Sequence, residues 1–233
     1  FVNINQSPNA PNLIFSNSPP SHSAMEFELV GGAPVEMSFI AGSSFQVSSD
    51  WWDEDEGGFG NVSINNSEGD ITVPHNSPQE FPAGGSLTLL GRNISLASDI
   101  SILGGSLTAT AYNYTPLAYA EASAQGVFAG LPAPSAIASQ GIIRVESGVM
   151  LDVSGQFIDE RNTSENGYSK TAIQNGGSVS LTGYSVLLAS NSLLDASGGV
   201  YANTNGKFQY GDGGSISLIA GKDPSLSTTT GGD

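Results

Sequence analysis

The chain has no cysteine among its 233 residues. That excludes a disulfide framework and any thiolate-ligated metal, while leaving the compartment open. Basic side chains are scarce, with 6 Lys and Arg against 22 Asp and Glu and a formal charge of -16. Nucleic acid and anionic membrane both require a cationic surface, so neither is an expected partner. No apolar run approaches the roughly 18 residues that a membrane-spanning helix needs, and no membrane insertion is expected. His22 and His75 stand among Ser, Pro and Asn with no second His or Cys at metal-ligand spacing. Phe1 to Ala10 has neither a basic nor a long apolar stretch, which places any targeting signal outside these residues.

What is abundant is glycine, 30 residues, and it marks a block that recurs. Gly84 to Gly105 reads GGSLTLLGRNISLASDISILGG, and Gly176 to Gly199 reads GGSVSLTGYSVLLASNSLLDASGG. The Gly-Gly-Ser opening returns at Gly213-Gly214-Ser215. Within the first block, Leu87, Leu89, Ile94, Leu96, Ile100 and Ile102 alternate with Thr88, Ser95 and Ser101, the period-two pattern of short half-buried strands. Only one or two residues separate these strands, too few for the crossover helix of a βαβ unit. Three short strands closing in roughly 20 to 25 residues define one coil of a parallel β-helix, in which stacked neighbours make the core.

Aligning Gly85 with Gly177 matches the inward set with Val179, Leu181, Val186, Leu188 and Leu194, and sets Ile100 against Ser192. Gly141 to Gly155 reads as a partial copy through Val149, Leu151 and Val153. The expected fold class is therefore all-β, a parallel β-helix with loop insertions and one short surface helix. The expected organisation is an irregular segment or edge strand over 1–23, β-helix over 24–221 with insertions at about 114–140, 156–175 and 201–212, and a polar tail over 222–233. Thr115-Pro116 followed by Ala-rich sequence to Gly126 supplies an N-cap, a first helical position and a terminator for the helix. The insertions lie on the surface, where specificity resides.

The Gly-Gly-Ser strands, with Leu151-Asp152-Val153-Ser154-Gly155 and Leu194-Asp195-Ala196-Ser197-Gly198, resemble the right-handed β-helix shafts of filamentous-haemagglutinin-like exoproteins and autotransporter passengers, and a right-handed parallel β-helix is the fold that resemblance implies. The resemblance covers roughly half the chain and implies a segment of a large bacterial adhesin, extracellular or at the cell surface. Its implied partners are a glycan or protein of a host surface or neighbouring cell, or further copies of itself joined end to end.

Asp50 to Gly57 is the densest charge in the chain. Asp53 and Asp55 with Gly57 resemble the start of a calcium loop, because a hard cation takes alternate carboxylates around a tight turn; a solvated acidic turn is the alternative. Trp51 and Trp52 either stack on a ligand or divide between core and loop cover. Asp152 and Asp195 occupy equivalent outward positions, which a polysaccharide lyase, hydrolase or phage-type depolymerase would use as an acid pair and which a turn preference also explains. With so few cations to grip an acidic polymer, a structural or adhesive role is expected rather than an enzymatic one.

Overall fold

A computed structural model describes residues 2–3, 12–16, 44–48, 59–128, 135–161 and 173–226. In chain order the strands are β1 (Val2–Asn3), β2 (Asn12–Ser16), β3 (Ser44–Ser48), β4 (Asn61–Asn66), β5 (Ile71–Val73), β6 (Gln79–Glu80) and β7 (Ser86–Gly91). They continue as β8 (Ile94–Leu96), β9 (Ile100–Ser101), β10 (Ser106–Ala111), β11 (Ile142–Val145), β12 (Met150–Asp152) and β13 (Phe157–Asp159). The last are β14 (Ser178–Thr182), β15 (Ser185–Leu188), β16 (Leu193–Asp195), β17 (Val200–Ala202), β18 (Phe208–Tyr210) and β19 (Ser215–Ile219). Among the described residues there is one helix, α1, spanning Pro116–Ala124.

The chain visits three parallel sheets in turn. Sheet A runs β1-β4-β7-β10-β14-β19, sheet B runs β15-β11-β8-β5-β2-β3, and sheet C runs β16-β12-β9-β6. Every pairing within these three sheets is parallel, and successive passes stack in register. The result is an all-β, solenoid-like stack. The first block divides as its alternation predicts, into β7, β8 and β9.

Register turns each alternating strand into part of a column. Val62, Leu87, Leu107, Val179 and Ile216 align down sheet A, as do Ile64, Leu89, Ala109, Leu181 and Leu218. Leu13, Ile71, Ile94, Ile143 and Val186 align down sheet B. Short of the last rung, Ile216 and Leu218, these columns meet along the axis in one apolar core, where fully burying an aliphatic side chain is worth about 1.5–3 kcal/mol. Gln79 is the polar intruder at the head of the sheet C column, fully buried, and its amide donates to the Ser77 carbonyl (2.7 Å) and hydroxyl (3.0 Å). A buried amide satisfied in this way avoids its desolvation cost.

The Gly-Gly-Ser signature has a steric cause. Gly60, Gly85, Gly105, Gly177 and Gly214 each precede a strand of sheet A, and the amide after each of the last four donates to the carbonyl of the glycine one rung back, at 2.7–3.0 Å. A Cβ on Gly85, Gly105, Gly177 or Gly214 would lie 2.2, 2.3, 1.8 or 1.8 Å from that carbonyl oxygen. Backbones this close exclude any side chain. The ladder also shows an opening that the repeat pattern concealed: Gly104-Gly105-Ser106-Leu107-Thr108 starts β10, and the two aligned blocks are therefore two rungs apart, with β10 between them.

The alignment mismatch has a similarly local origin. Ile100 faces Leu151, and Leu151 faces Leu194. The later coil carries a longer turn ahead of sheet C, where Ser192 donates to Ala189 through its amide (3.1 Å) and hydroxyl (2.8 Å), so Ile100 corresponds to Leu194 rather than to Ser192.

The N-terminal segment contributes to the core, since β2 lies between β5 and β3 and buries Leu13 and Phe15 completely. The insertion after β10 begins and ends at one corner: Tyr112 donates to Gly91 and Gly141 to Arg92, both at 2.9 Å, so the main chain leaves and rejoins the path of the coil beneath. Asn113 fastens the two ends, donating to the Ile137 and Gln140 carbonyls (2.7 Å each) and accepting from the Ile137 amide (2.8 Å). Inside the insertion, α1 starts where Thr115 and Pro116 place it, with the Thr115 hydroxyl accepting from the Ala118 amide at 3.3 Å. Glu68, from the turn after β4, adds a second acceptor at the Leu117 amide (2.8 Å).

Candidate functional site

Trp51, Trp52, Asp53 and Asp55 lie outside the described residues, so the calcium and stacking readings of that loop have no geometry here. Among the described residues, no group of three or more His, Asp or Glu side chains converges as a metal site. No described helix is long and apolar enough to cross a membrane.

Asp152 and Asp195 are brought together as the repeat implies. They are register partners on β12 and β16, neighbouring strands of sheet C, with backbones about 4.8 Å apart. Each carboxylate is engaged locally: Asp152 accepts from the Ser154 amide and Asp195 from the Ser197 amide, both at 2.8 Å. These are Asx turns, and they explain why the Leu-Asp-x-Ser-Gly sequence recurs. The acids end a strand and set the turn into the glycines that follow. The arginines pair with other acids: Arg92 with Asp70 (2.9 Å), Arg144 with Glu146 (3.8 Å) and Arg161 with Asp159 (2.6 Å).

A different group of residues makes a surface with recognition chemistry. The stretches 156–175 and 201–212, expected to be loops, carry strands of a fourth sheet, D, ordered β13-β17-β18. β13 and β17 are parallel, whereas β17 and β18 form an antiparallel hairpin. Its turn is organised by Asn203, whose side-chain oxygen accepts from the Asn205 (3.0 Å) and Lys207 (2.9 Å) amides. Gln174 ties this annex to the stack, accepting from the Gln156 amide (3.2 Å) and donating to the Leu103 carbonyl (3.0 Å).

Register and alternation put Phe157, Val200 and Tyr210 in one row of sheet D, and Asp159, Ala202 and Phe208 in the next, all on one face. The aromatics of that face stay in solvent, with Phe157 62%, Tyr210 72% and Phe208 46% exposed. Ala202 between Asp159 and Phe208 is fully buried. Arg161 spans the same row: its Nε and Nη2 donate to the two oxygens of Asp159 at 2.8 and 2.6 Å, and its guanidinium carbon stands 5.5 Å from the Phe208 ring centre. These bonds hold the Asp159 carboxyl down at about 2 and push Arg161 further up. On the opposite face the Tyr201 hydroxyl donates to Glu160 at 2.5 Å, and this bond raises the phenol above its ordinary range. The stretches that carry this face are polar on average and so read as loops in the sequence. The readable signal was aromatic alternation, Phe157-Ile158-Asp159 and Phe208-Gln209-Tyr210.

The third surface is the last rung. Ile216 and Leu218 continue the inward columns of Val179 and Leu181, yet they are 48% and 46% exposed. Leu188 and Leu193 on the last strands of sheets B and C are also exposed. Among the described residues no strand pairs with the outer edge of β19, β15 or β16.

Comparison with family models, curated proteins and solved structures gives no match to this chain. The class that the fold defines is an all-β stack of parallel sheets with one short helix.

Proposed function

We propose that the chain is a right-handed parallel β-helix segment of a large bacterial surface or secreted exoprotein of the filamentous-haemagglutinin-like kind, with a structural and adhesive role. The observation that carries this reading is the last rung. Ile216 and Leu218 sit in core register with nothing described above them, and among the described residues no strand pairs with the outer edge of β19. An apolar row on an open edge is a template for a further strand. In the purified chain a second copy supplies that strand, and because the contact is head to tail it propagates into a filament. The engaged Asp152 and Asp195 carboxylates support a role in shape rather than in acid-base cleavage.

Sedimentation velocity and negative-stain imaging across a range of concentrations test the proposal. Mass-dependent elongated assemblies are expected, and Ile216→Asp or Leu218→Asp returns them to single copies with unchanged circular dichroism. A compact monomer at all concentrations, or release of new reducing ends or unsaturated products from bacterial or plant polysaccharides, overturns it.

A further inference from the structure

We infer that the exposed face of sheet D is a binding site for neutral carbohydrate, and that this annex rather than the stack supplies recognition. The inference rests on the adhesive reading and gives it a location.

Three features of the face define its ligand. The first is its shape. Phe157 and Tyr210 stand at the two ends of one row with Val200 between them, roughly 10 Å apart at the backbone, two strand spacings. Two exposed rings above an aliphatic floor offer a shallow trough to a flat molecule with an apolar face. A sugar ring has one, in its axial C–H groups.

The second is hydrogen-bonding capacity beside the trough. Arg161 uses one Nε and one Nη2 proton on Asp159, and a guanidinium carries five, so three remain. The fork to Asp159 holds that donor edge in place, and the Phe208 ring lies 5.5 Å from the guanidinium carbon, within cation-π range. Asp159 Oδ1 accepts from the Arg161 amide as well as from Nε, so the acceptor site left for a donating hydroxyl is on Oδ2. A donor edge and an acceptor side by side match vicinal hydroxyls, each of which donates and accepts.

The third is charge. Arg161 is neutralised by Asp159, and the chain as a whole carries -16. A uronate, sialylated or phosphorylated polymer meets no uncompensated cation in the Asp159, Ala202 and Phe208 row and is repelled at long range. The face therefore selects uncharged saccharides. It is also pre-organised, since the Asn203 turn and the Gln174 tie fix the strands before a ligand arrives.

The test immobilises glucose-, galactose-, mannose- and N-acetylglucosamine-based oligosaccharides of four to six units beside polygalacturonate, and applies the whole chain, Phe157→Ala, Tyr210→Ala and Arg161→Gln. Wild type binds at least one neutral oligosaccharide and not polygalacturonate. Each aromatic variant weakens binding at least tenfold, and Arg161→Gln weakens it while leaving the melting temperature close to that of wild type. Because Phe157 and Tyr210 are solvent-exposed, far-UV circular dichroism of their variants matches wild type, so lost binding is not lost folding.

No binding across the neutral panel, preference for polygalacturonate, or binding indifferent to Phe157→Ala and Tyr210→Ala each overturns the assignment. Capture of a protein by this face with no saccharide binding overturns it too. These outcomes are distinct from failure of the exoprotein reading, which is decided by assembly and by polysaccharide cleavage.

Discussion

Replacing Gly177 with alanine sets a methyl carbon 1.8 Å from the Gly105 carbonyl oxygen and 2.7 Å from its carbon. Both atoms are backbone of the rung beneath, so no flexible side chain can swing aside. Ordinary contact requires the two rungs to part locally by more than an ångström. That opens the Ser178 to Gly105 hydrogen bond (2.9 Å) and strains the Gly177 to Val153 bond (2.7 Å). One or two hydrogen bonds at about 0.5–1.5 kcal/mol each, with overpacking strain of about 1–3 kcal/mol, give a loss of about 3 kcal/mol. For a chain of this size that lowers the melting temperature by roughly 6–12 °C.

Two other glycines are the controls. Gly60 begins the ladder, and a Cβ there meets nothing nearer than Pro82 Cβ at 3.9 Å. Gly60→Ala is expected to leave stability unchanged or raise it by about 0.4–1 kcal/mol through the unfolded chain. Gly84 has open space but a φ of +74°, so Gly84→Ala costs only the left-handed penalty, about 1–2 kcal/mol. Urea unfolding followed by far-UV circular dichroism ranks the three. Gly177→Ala with a wild-type midpoint, or Gly60→Ala as damaging as Gly177→Ala, would refute the ladder.

Asp223 is fully buried and accepts from the Tyr114 (2.6 Å) and Ser225 (2.7 Å) amides. Asp223→Ala leaves the Tyr114 amide without its acceptor and costs about 1–3 kcal/mol in a denaturant titration. The same variant brings down the Tyr112 phenol, which burial and then the Asp223 charge hold above its ordinary value, and ultraviolet titration of the tyrosines reads that change. The Asp159 carboxyl, lowered from 3.8 to about 2 by its hydrogen bonds from Arg161, contributes its stabilisation in full above the unfolded value and loses it as pH falls through about 2. Carboxyl-detected NMR should place its midpoint near 2 in wild type and back toward 3.8 in Arg161→Gln; an unchanged midpoint would remove the pair from the account. Asparagine preserves an Asx acceptor, so Asp152→Asn and Asp195→Asn stay within about 0.5 kcal/mol of wild type, while the alanine variants lose about 0.5–1.5 kcal/mol. Cleavage of any polysaccharide by wild type that Asp152→Asn abolishes would make these residues catalytic instead.

The parts of the fold that repeat were legible because each rung obeys one local rule. Leu87 and Leu89 point inward by strand alternation alone, and the glycine before the strand is forced by the rung beneath. α1 was readable for a similar reason, since Thr115, Pro116 and Gly126 are a local start and stop. The Gly-Gly-Ser at Gly104 is masked in the repeat pattern because its coil is divided by the 112–141 excursion, and the clasp by Asn113 joins residues far apart in sequence. Sheet D was hidden for the opposite reason. β13, β17 and β18 are three residues each, too short for periodicity to rise above polar flanks, and their strand character comes from pairing with one another.

The central claim is that neighbouring rungs are parallel and in register, and the absence of native cysteine makes it directly measurable. Ser106 of β10 faces Ser178 of β14; an antiparallel pair would instead set Ser106 against Thr182, which here lies four strand residues, about 13 Å, further along. Oxidising the double variant Ser106→Cys/Ser178→Cys should give an intramolecular disulfide in high yield, detected by non-reducing electrophoresis and peptide mass mapping, because parallel neighbours fall within bridging distance. Ser106→Cys/Thr182→Cys should remain reduced. Cross-linking of the second pair in place of the first would contradict the stacked parallel fold and the adhesive reading built on it.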